Sequence, residues 1–164
     1  MIREASLVDI VRSAIKKNAR QLIRERASVQ IEVGEISVYT DIKWCDFILS
    51  QILINAMQYQ GKDPLTIRIT VLQQPQSVIL MVADNGIGIS QQDLPRVFEK
   101  GFTGQTGRQY KRATGMGLYL CKKLCDRLGL QLWIDSETGK GTCVSIRFPK
   151  SDHIPILAKE EPEA

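Results

Sequence analysis

Asp84 is the residue whose setting most invites chemistry. It closes an apolar run, Val78-Ile79-Leu80-Met81-Val82, and opens onto Asn85-Gly86-Ile87-Gly88-Ile89-Ser90. The run reads as a buried strand. Asn85-Gly86 invites a turn with positive φ, and Gly88 keeps the next stretch of backbone free of side chain. A flat ligand can then lie against backbone, with the Asp84 carboxylate as a hydrogen-bond acceptor at the floor. An ordinary strand-to-helix turn carries the same pattern, and these residues alone do not separate the two.

Three other stretches bear on the choice. Residues 47–59, FILSQILINAMQY, form an amphipathic pattern with Asn55 in its middle, where Asn is a poor helix former. A neutral amide oxygen suits a hard cation such as Mg²⁺, which keeps several waters and bridges nucleotide phosphates. Gln51 lies one turn earlier on the same face, as a second amide or simply a surface residue. Further on, Gly115-Met116-Gly117-Leu118 opens a helix, and free N–H groups at a helix start receive anions. Residues 102–115 between are glycine-rich, basic and polar, which predicts a long loop. Its Arg108, Lys111 and Arg112 offer cations of the kind that stabilise phosphoryl transfer, although a charge cluster is also what a solvated loop carries. Phe98 and Phe102 flank Glu99-Lys100-Gly101, either at the start of that loop or as core residues.

The elements that must position these groups follow from periodicity. Helices are expected over 6–26, 42–60 and 115–128, capped at Ser6 and Asp41 and stopped at Gly129, with Phe47, Ile48, Ile52, Leu53 and Ala56 on the inner face of the second. A short helix is expected from Ser90, with Leu94 and Val97 inward. Strands are expected over 29–33, 38–40, 65–72, 78–83, 130–136 and 142–148. Strands in hairpins with helices between them predict an α+β fold with a mixed, mostly antiparallel sheet, one face carrying three helices.

The 164 residues suffice for one domain with a core, and 43 % apolar with 24 % charged content is ordinary for a globular chain. The net charge of +4 is too mild to imply nucleic acid. No apolar run is long enough to span a bilayer and no secretory signal is visible. Cys45, Cys121, Cys125 and Cys143 form no C-x-x-C pair and read as reduced thiols of a cytosolic protein. Neither GxxxxGK[ST] nor GxGxxG after the first strand is present.

In order and spacing, the stretches around Asn55, Asp84, residues 97–104 (VFEKGFTG) and residues 113–120 (ATGMGLYL) resemble the N box, first glycine box, F box and second glycine box of sensor histidine kinase catalytic domains. That superfamily also holds gyrase, heat-shock chaperones and mismatch-repair ATPases. The resemblance covers about residues 5–149 and implies a two-layer α/β sandwich of about five strands with a mobile ATP lid. Residues 1–149 would be the catalytic domain and 150–164 a flexible tail. It implies ATP and Mg²⁺ as cofactors. Asp84 would select adenine by accepting from the exocyclic amine, Tyr59 would pack on the base, and Ile87 and Ile89 would wall the pocket. The implied ATP-binding set is Asn55, Tyr59, Asp84, Gly86, Ile87, Gly88, Ile89, Phe98, Phe102, Thr103, Arg108, Lys111, Thr114, Gly115, Met116, Gly117 and Leu118, with Asn55 and Gln51 at the metal.

Three positions depart from the family pattern: Gln51 replaces a frequent Asn, Gln58 a Lys, and Ala113 a Gly. The only histidine, His153, sits in the polar tail rather than on an amphipathic helix, so the phosphoacceptor is expected on a separate helical hairpin. The partners implied are ATP or ADP, that hairpin and a response regulator, with no nucleic acid and no membrane contact from this segment. Its place would be cytoplasmic, in a receptor whose hairpin, sensor and membrane spans lie upstream. The residues 101–108 with 114–120 look closest to kinases of cell-envelope and antibiotic-peptide stress systems. An anti-sigma-factor serine kinase of similar length, or a degenerate nucleotide-binding regulatory module, are the competing readings.

Overall fold

The computed structural model describes residues 1–102 and 117–151. Along the chain run β1 (Arg3–Ser6), α1 (Leu7–Lys17), α2 (Ala19–Arg24), β2 (Ser28–Glu32), β3 (Ser37–Thr40), α3 (Ile42–Gln58), β4 (Thr66–Gln73), β5 (Ser77–Asp84), a 3-10 turn (Leu94–Arg96), α4 (Gly117–Leu128), β6 (Gln131–Glu137) and β7 (Gly141–Pro149). Five strands form one sheet in the order β2-β4-β5-β7-β6. Only the β2–β4 pair is parallel, and α3 lies in the crossover between them. This is the mixed, mostly antiparallel sheet that the patterning predicts.

Alternation sets which face of the sheet is covered. Val78, Leu80 and Val82 of β5, Val144, Ile146 and Phe148 of β7, Ile67 and Ile69 of β4, and Leu132 of β6 are buried in one core with the helices. The helices begin where their caps say. Ser6 Oγ accepts from the Asp9 N–H at 3.4 Å, and Asp41 Oδ1 accepts from the Trp44 N–H at 3.2 Å. Asp9 in the first turn of α1 and Lys16 and Lys17 in its last complement the helix dipole.

Four expectations are corrected. The single helix over 6–26 breaks at Asn18, whose side chain donates to the Ala14 carbonyl at 2.7 Å and to Ser50 Oγ at 3.1 Å. Asn competes for backbone carbonyls in this way, and here it also ties the break to α3. The short helix from Ser90 is a 3-10 turn containing Pro95, and Val97 is buried while Leu94 is only half-buried. Strand β1 precedes α1 where no strand was expected, and it pairs antiparallel with β3 in a separate two-stranded sheet. Phe47 sits at the outer edge of α3 against Trp44, ring centroids 6.2 Å apart, while Cys45 and Leu49 join the buried stripe. A helix packed against neighbours on more than one side buries a wider stripe than a single-face reading assigns.

The four cysteines are free, three buried in helices and Cys143 half-buried in β7. Burial pushes the thiols of Cys45 and Cys121 up to about 12 and that of Cys125 higher still. Among the described residues, no helix is long and apolar enough to cross a membrane.

Candidate functional site

Asp84 ends β5, with its carboxylate facing the helix layer. Oδ1 accepts from the Gly86 N–H at 2.8 Å. Burial raises the acid above its ordinary value, and hydrogen bonds from the Gly86 and Thr142 backbones act against that rise. In the sheet register Asp84 faces Thr142, and Thr142 faces Ser136. Directly opposed residues of antiparallel strands share a face, so these three form one polar rung at the end of the sheet's otherwise apolar helix-side face.

The glycine turn is held between two neighbours. On one side the Ile87 N–H donates to the Tyr59 carbonyl at 3.0 Å, at the end of α3. On the other, the Gly139 N–H donates to the Ile87 carbonyl and the Ile89 N–H to Ser136 Oγ, both at 2.8 Å. Asn85 ties the turn to the start of β4: its Oδ1 accepts from the Thr66 N–H and its Nδ2 donates to the Pro64 carbonyl.

Gly86 was expected to supply a positive φ, and it does not. Its need is space, because a Cβ there would stand 2.5 Å from the Tyr59 carbonyl oxygen. Gly88 carries both constraints, with φ +77° and a Cβ position 2.1 Å from the Glu137 carbonyl oxygen.

The C-terminal half of α3 runs past this turn. Asn55 lies on it and Tyr59 caps its end, both half-buried, with the Tyr59 N–H on the Asn55 carbonyl at 3.2 Å. Gln51 meets the start of α4: a Cβ on Gly117 would lie 2.9 Å from Gln51 Oε1. The first turn of α4 therefore opens beside Gln51, one turn of α3 from Asn55. No group of three or more His, Cys, Asp or Glu among the described residues is placed to hold a metal. Asn55 and Gln51 could offer a cation neutral amide oxygens, which would fit an ion that takes most of its ligands from water and phosphate.

Ile87, Ile89 and Leu118 are half-buried rather than core residues. Phe98 packs against the core from its edge. Phe102 lies under the Arg96 guanidinium, 5.1 Å from the ring centroid, and follows Gly101, whose φ is +78°. Thr103, Arg108, Lys111, Thr114, Gly115 and Met116, with the expected lid and His153, lie outside the described residues.

Thr142, Ser136 and Gly141 are site residues that motif reading missed. Gly141, with φ +121° and a Cβ position 2.0 Å from the Asp84 carbonyl oxygen, lets β7 close on β5. In the sequence Ser136 and Thr142 stand only as the facing ends of the two expected strands, 130–136 and 142–148, with Gly141 between them.

Helices on one face of a mixed sheet, a carboxylate at a strand end, a glycine turn against one helix and a glycine-opened second helix define a two-layer ATPase-type domain. The family described as histidine kinase-, DNA gyrase B- and HSP90-like ATPases matches residues 40–152, more than half of the chain, and the chain belongs to it. The sensor protein kinase GraS of Staphylococcus aureus (strain MRSA252) is 45 % identical over 117 residues, 71 % of this chain and 33 % of its own length. The chain thus spans about a third of that curated relative. Among solved structures, a mycobacterial sensor histidine kinase, MprB, superposes with TM-score 0.77 at 20 % identity, covering 91 % of this chain and 97 % of that one. The nucleotide-free catalytic domain of histidine kinase ThkA gives 0.76 at 20 % identity, covering 92 % and 98 %. These two likenesses bear on the fold.

Proposed function

We propose that the chain is the ATP-binding catalytic domain of a two-component sensor histidine kinase. It takes ATP with Mg²⁺ and passes the γ-phosphoryl to a histidine on a separate helical hairpin, from which a response regulator receives it. The observation that carries this reading is the Asp84 carboxylate, held at the floor of a turn that Gly86 and Gly88 let pack against Tyr59 and Glu137. Asp84 accepts from the adenine amine, Ile87 and Ile89 flank the base, and Tyr59 packs beside it. Guanine presents a carbonyl where adenine has the amine, so two acceptors would face each other.

The phosphates lie toward the first turn of α4, where backbone N–H groups and Gly117 admit them. Asn55 and Gln51 hold the metal through amide oxygens. Mg²⁺ supplies charge neutralisation across the transferring phosphates. Phe98 and Phe102 anchor the start of the lid, and Thr103, Arg108, Lys111, Thr114, Gly115 and Met116 complete the set. No side chain of this chain acts as nucleophile; its work is positioning and electrostatics. The domain stands on the cytoplasmic side of a membrane-anchored receptor.

The test is phosphotransfer from γ-labelled ATP. With a phosphoacceptor hairpin of a cell-envelope stress kinase supplied in trans, the hairpin takes up acid-labile label and this chain stays unlabelled. Stoichiometric label on this chain, or none on any hairpin despite ATP binding, contradicts the proposal.

A further inference from the structure

Ser136, next to last in β6, sits at the meeting point of the site's hydrogen bonds. Its Oγ is 2.8 Å from the Ile89 N–H nitrogen, from the Gly141 carbonyl oxygen and from Thr142 Oγ1. A backbone N–H only donates and a carbonyl only accepts. The single hydroxyl proton of Ser136 therefore goes to Gly141, and Ile89 takes one serine lone pair. The contact to Thr142 is then a hydrogen bond only if Thr142 donates its own proton to Ser136. That leaves the Thr142 hydroxyl with acceptor lone pairs alone, on the same rung as Asp84.

We propose that Ser136 is a specificity-determining positioning residue: by fixing the polarity of the Thr142 hydroxyl, it makes the floor of the site a pair of acceptors, Asp84 and Thr142. The inference rests on the adenine-nucleotide reading above. Two acceptors suit an exocyclic amine, which carries two protons. They oppose a 6-keto purine, whose oxygen needs a donor. Freed from Ser136, the Thr142 hydroxyl turns its proton toward that oxygen and the penalty falls. A serine that only ties the glycine turn to the β6–β7 hairpin would weaken every nucleotide alike.

The experiment compares ADP with inosine diphosphate, which differs from it only in the 6-keto group and the N1 proton. Affinities are measured by titration calorimetry for the wild-type chain and for Ser136→Ala, Ser136→Thr and Thr142→Val, with folding checked by circular dichroism. Ser136→Ala is expected to shrink the ADP preference about three- to tenfold, the worth of one hydrogen bond. Ser136→Thr, which keeps the hydroxyl, restores most of it. Thr142→Val leaves the Ile89 and Gly141 bonds of Ser136 in place, shrinks the preference by a smaller step because it removes an acceptor without supplying a donor, and decides the matter if Ser136→Ala fails to fold. Equal losses for both nucleotides in Ser136→Ala, or an unchanged preference in Thr142→Val, overturn the proposal alone. A wild-type chain that binds neither nucleotide overturns the adenine reading and this inference with it.

Discussion

The Ile87 N–H donates to the Tyr59 carbonyl oxygen at 3.0 Å, joining the turn after β5 to the end of α3. This bond ties the turn that follows the carboxylate to the helix that carries the amides. It exists because residue 86 has no side chain: a Cβ there would stand 2.5 Å from the same oxygen. Gly86→Ala must push backbone from backbone. It is expected to cost about 1–3 kcal/mol in urea denaturation and to weaken ADP binding. Gly34→Ala is the control, since a Cβ there meets nothing and φ is not positive. It should be neutral or stabilise by up to about 1 kcal/mol. Equal effects at the two positions would show that the close approach is not what Gly86 serves.

Asp84 should make the domain less stable as pH rises. Its folded acid is raised above the ordinary 3.8, chiefly by burial. Below that ordinary value it is protonated in both states and contributes nothing. Above it the folded state holds its proton longer than the unfolded chain, so stability falls with pH until the folded group also ionises. Asp84→Asn escapes this. The melting temperature of the variant minus that of wild type should grow from about pH 4 to pH 7. A difference that shrinks with pH would mean that the carboxylate is stabilised, not strained, by its setting. A group kept at such a cost is what a binding site retains.

Asn55→Ala separates metal from base. Alanine is the better helix former, so the fold should hold. Affinity for an ATP analogue with Mg²⁺ is expected to fall at least tenfold, about the worth of a hydrogen bond to a charged group, while ADP with chelator binds nearly as before. Gln51→Ala should show a smaller loss of the same kind. Calorimetric titration of both nucleotides, with Mg²⁺ and with chelator, reads this. An equal loss under all four conditions would make Asn55 a packing residue.

Alkylation maps the interior. With thiols pushed up to about 12 by burial, Cys45 and Cys121 stay in the unreactive thiol form at pH 8. Native alkylation followed by peptide mass spectrometry should therefore find Cys143 modified first, with Cys45, Cys121 and Cys125 reacting only on unfolding. Modification of those three at the rate of Cys143 would contradict the packing of α3 against α4.

Local signals carried much of this fold into the sequence. Ser6 and Asp41 cap the helices that their spacing announced, and the hairpin of β4 and β5 follows from alternation about Gln74-Pro75-Gln76. What stayed hidden depends on partners distant in sequence. Asn18 breaks a periodic helix because Ser50 and the Ala14 carbonyl receive its amide. β1 is four residues long and exists through β3, 34 residues further on when counted from Arg3 to Ser37. The same holds at the site. Asp84 and the glycines were legible as a motif, but the need for Gly86 comes from Tyr59. The roles of Thr142 and Ser136 come from register across three strands, which no local pattern states.

Whether Asp84 reads adenine is decided by titrating ADP and GDP into the wild-type chain and Asp84→Asn. Wild type is expected to bind ADP well above GDP. In Asp84→Asn, ADP affinity falls about ten- to a hundredfold and the gap to GDP narrows, with the circular dichroism spectrum unchanged. Unaltered ADP affinity in a folded Asp84→Asn chain, or equal binding of ADP and GDP by wild type, would contradict it.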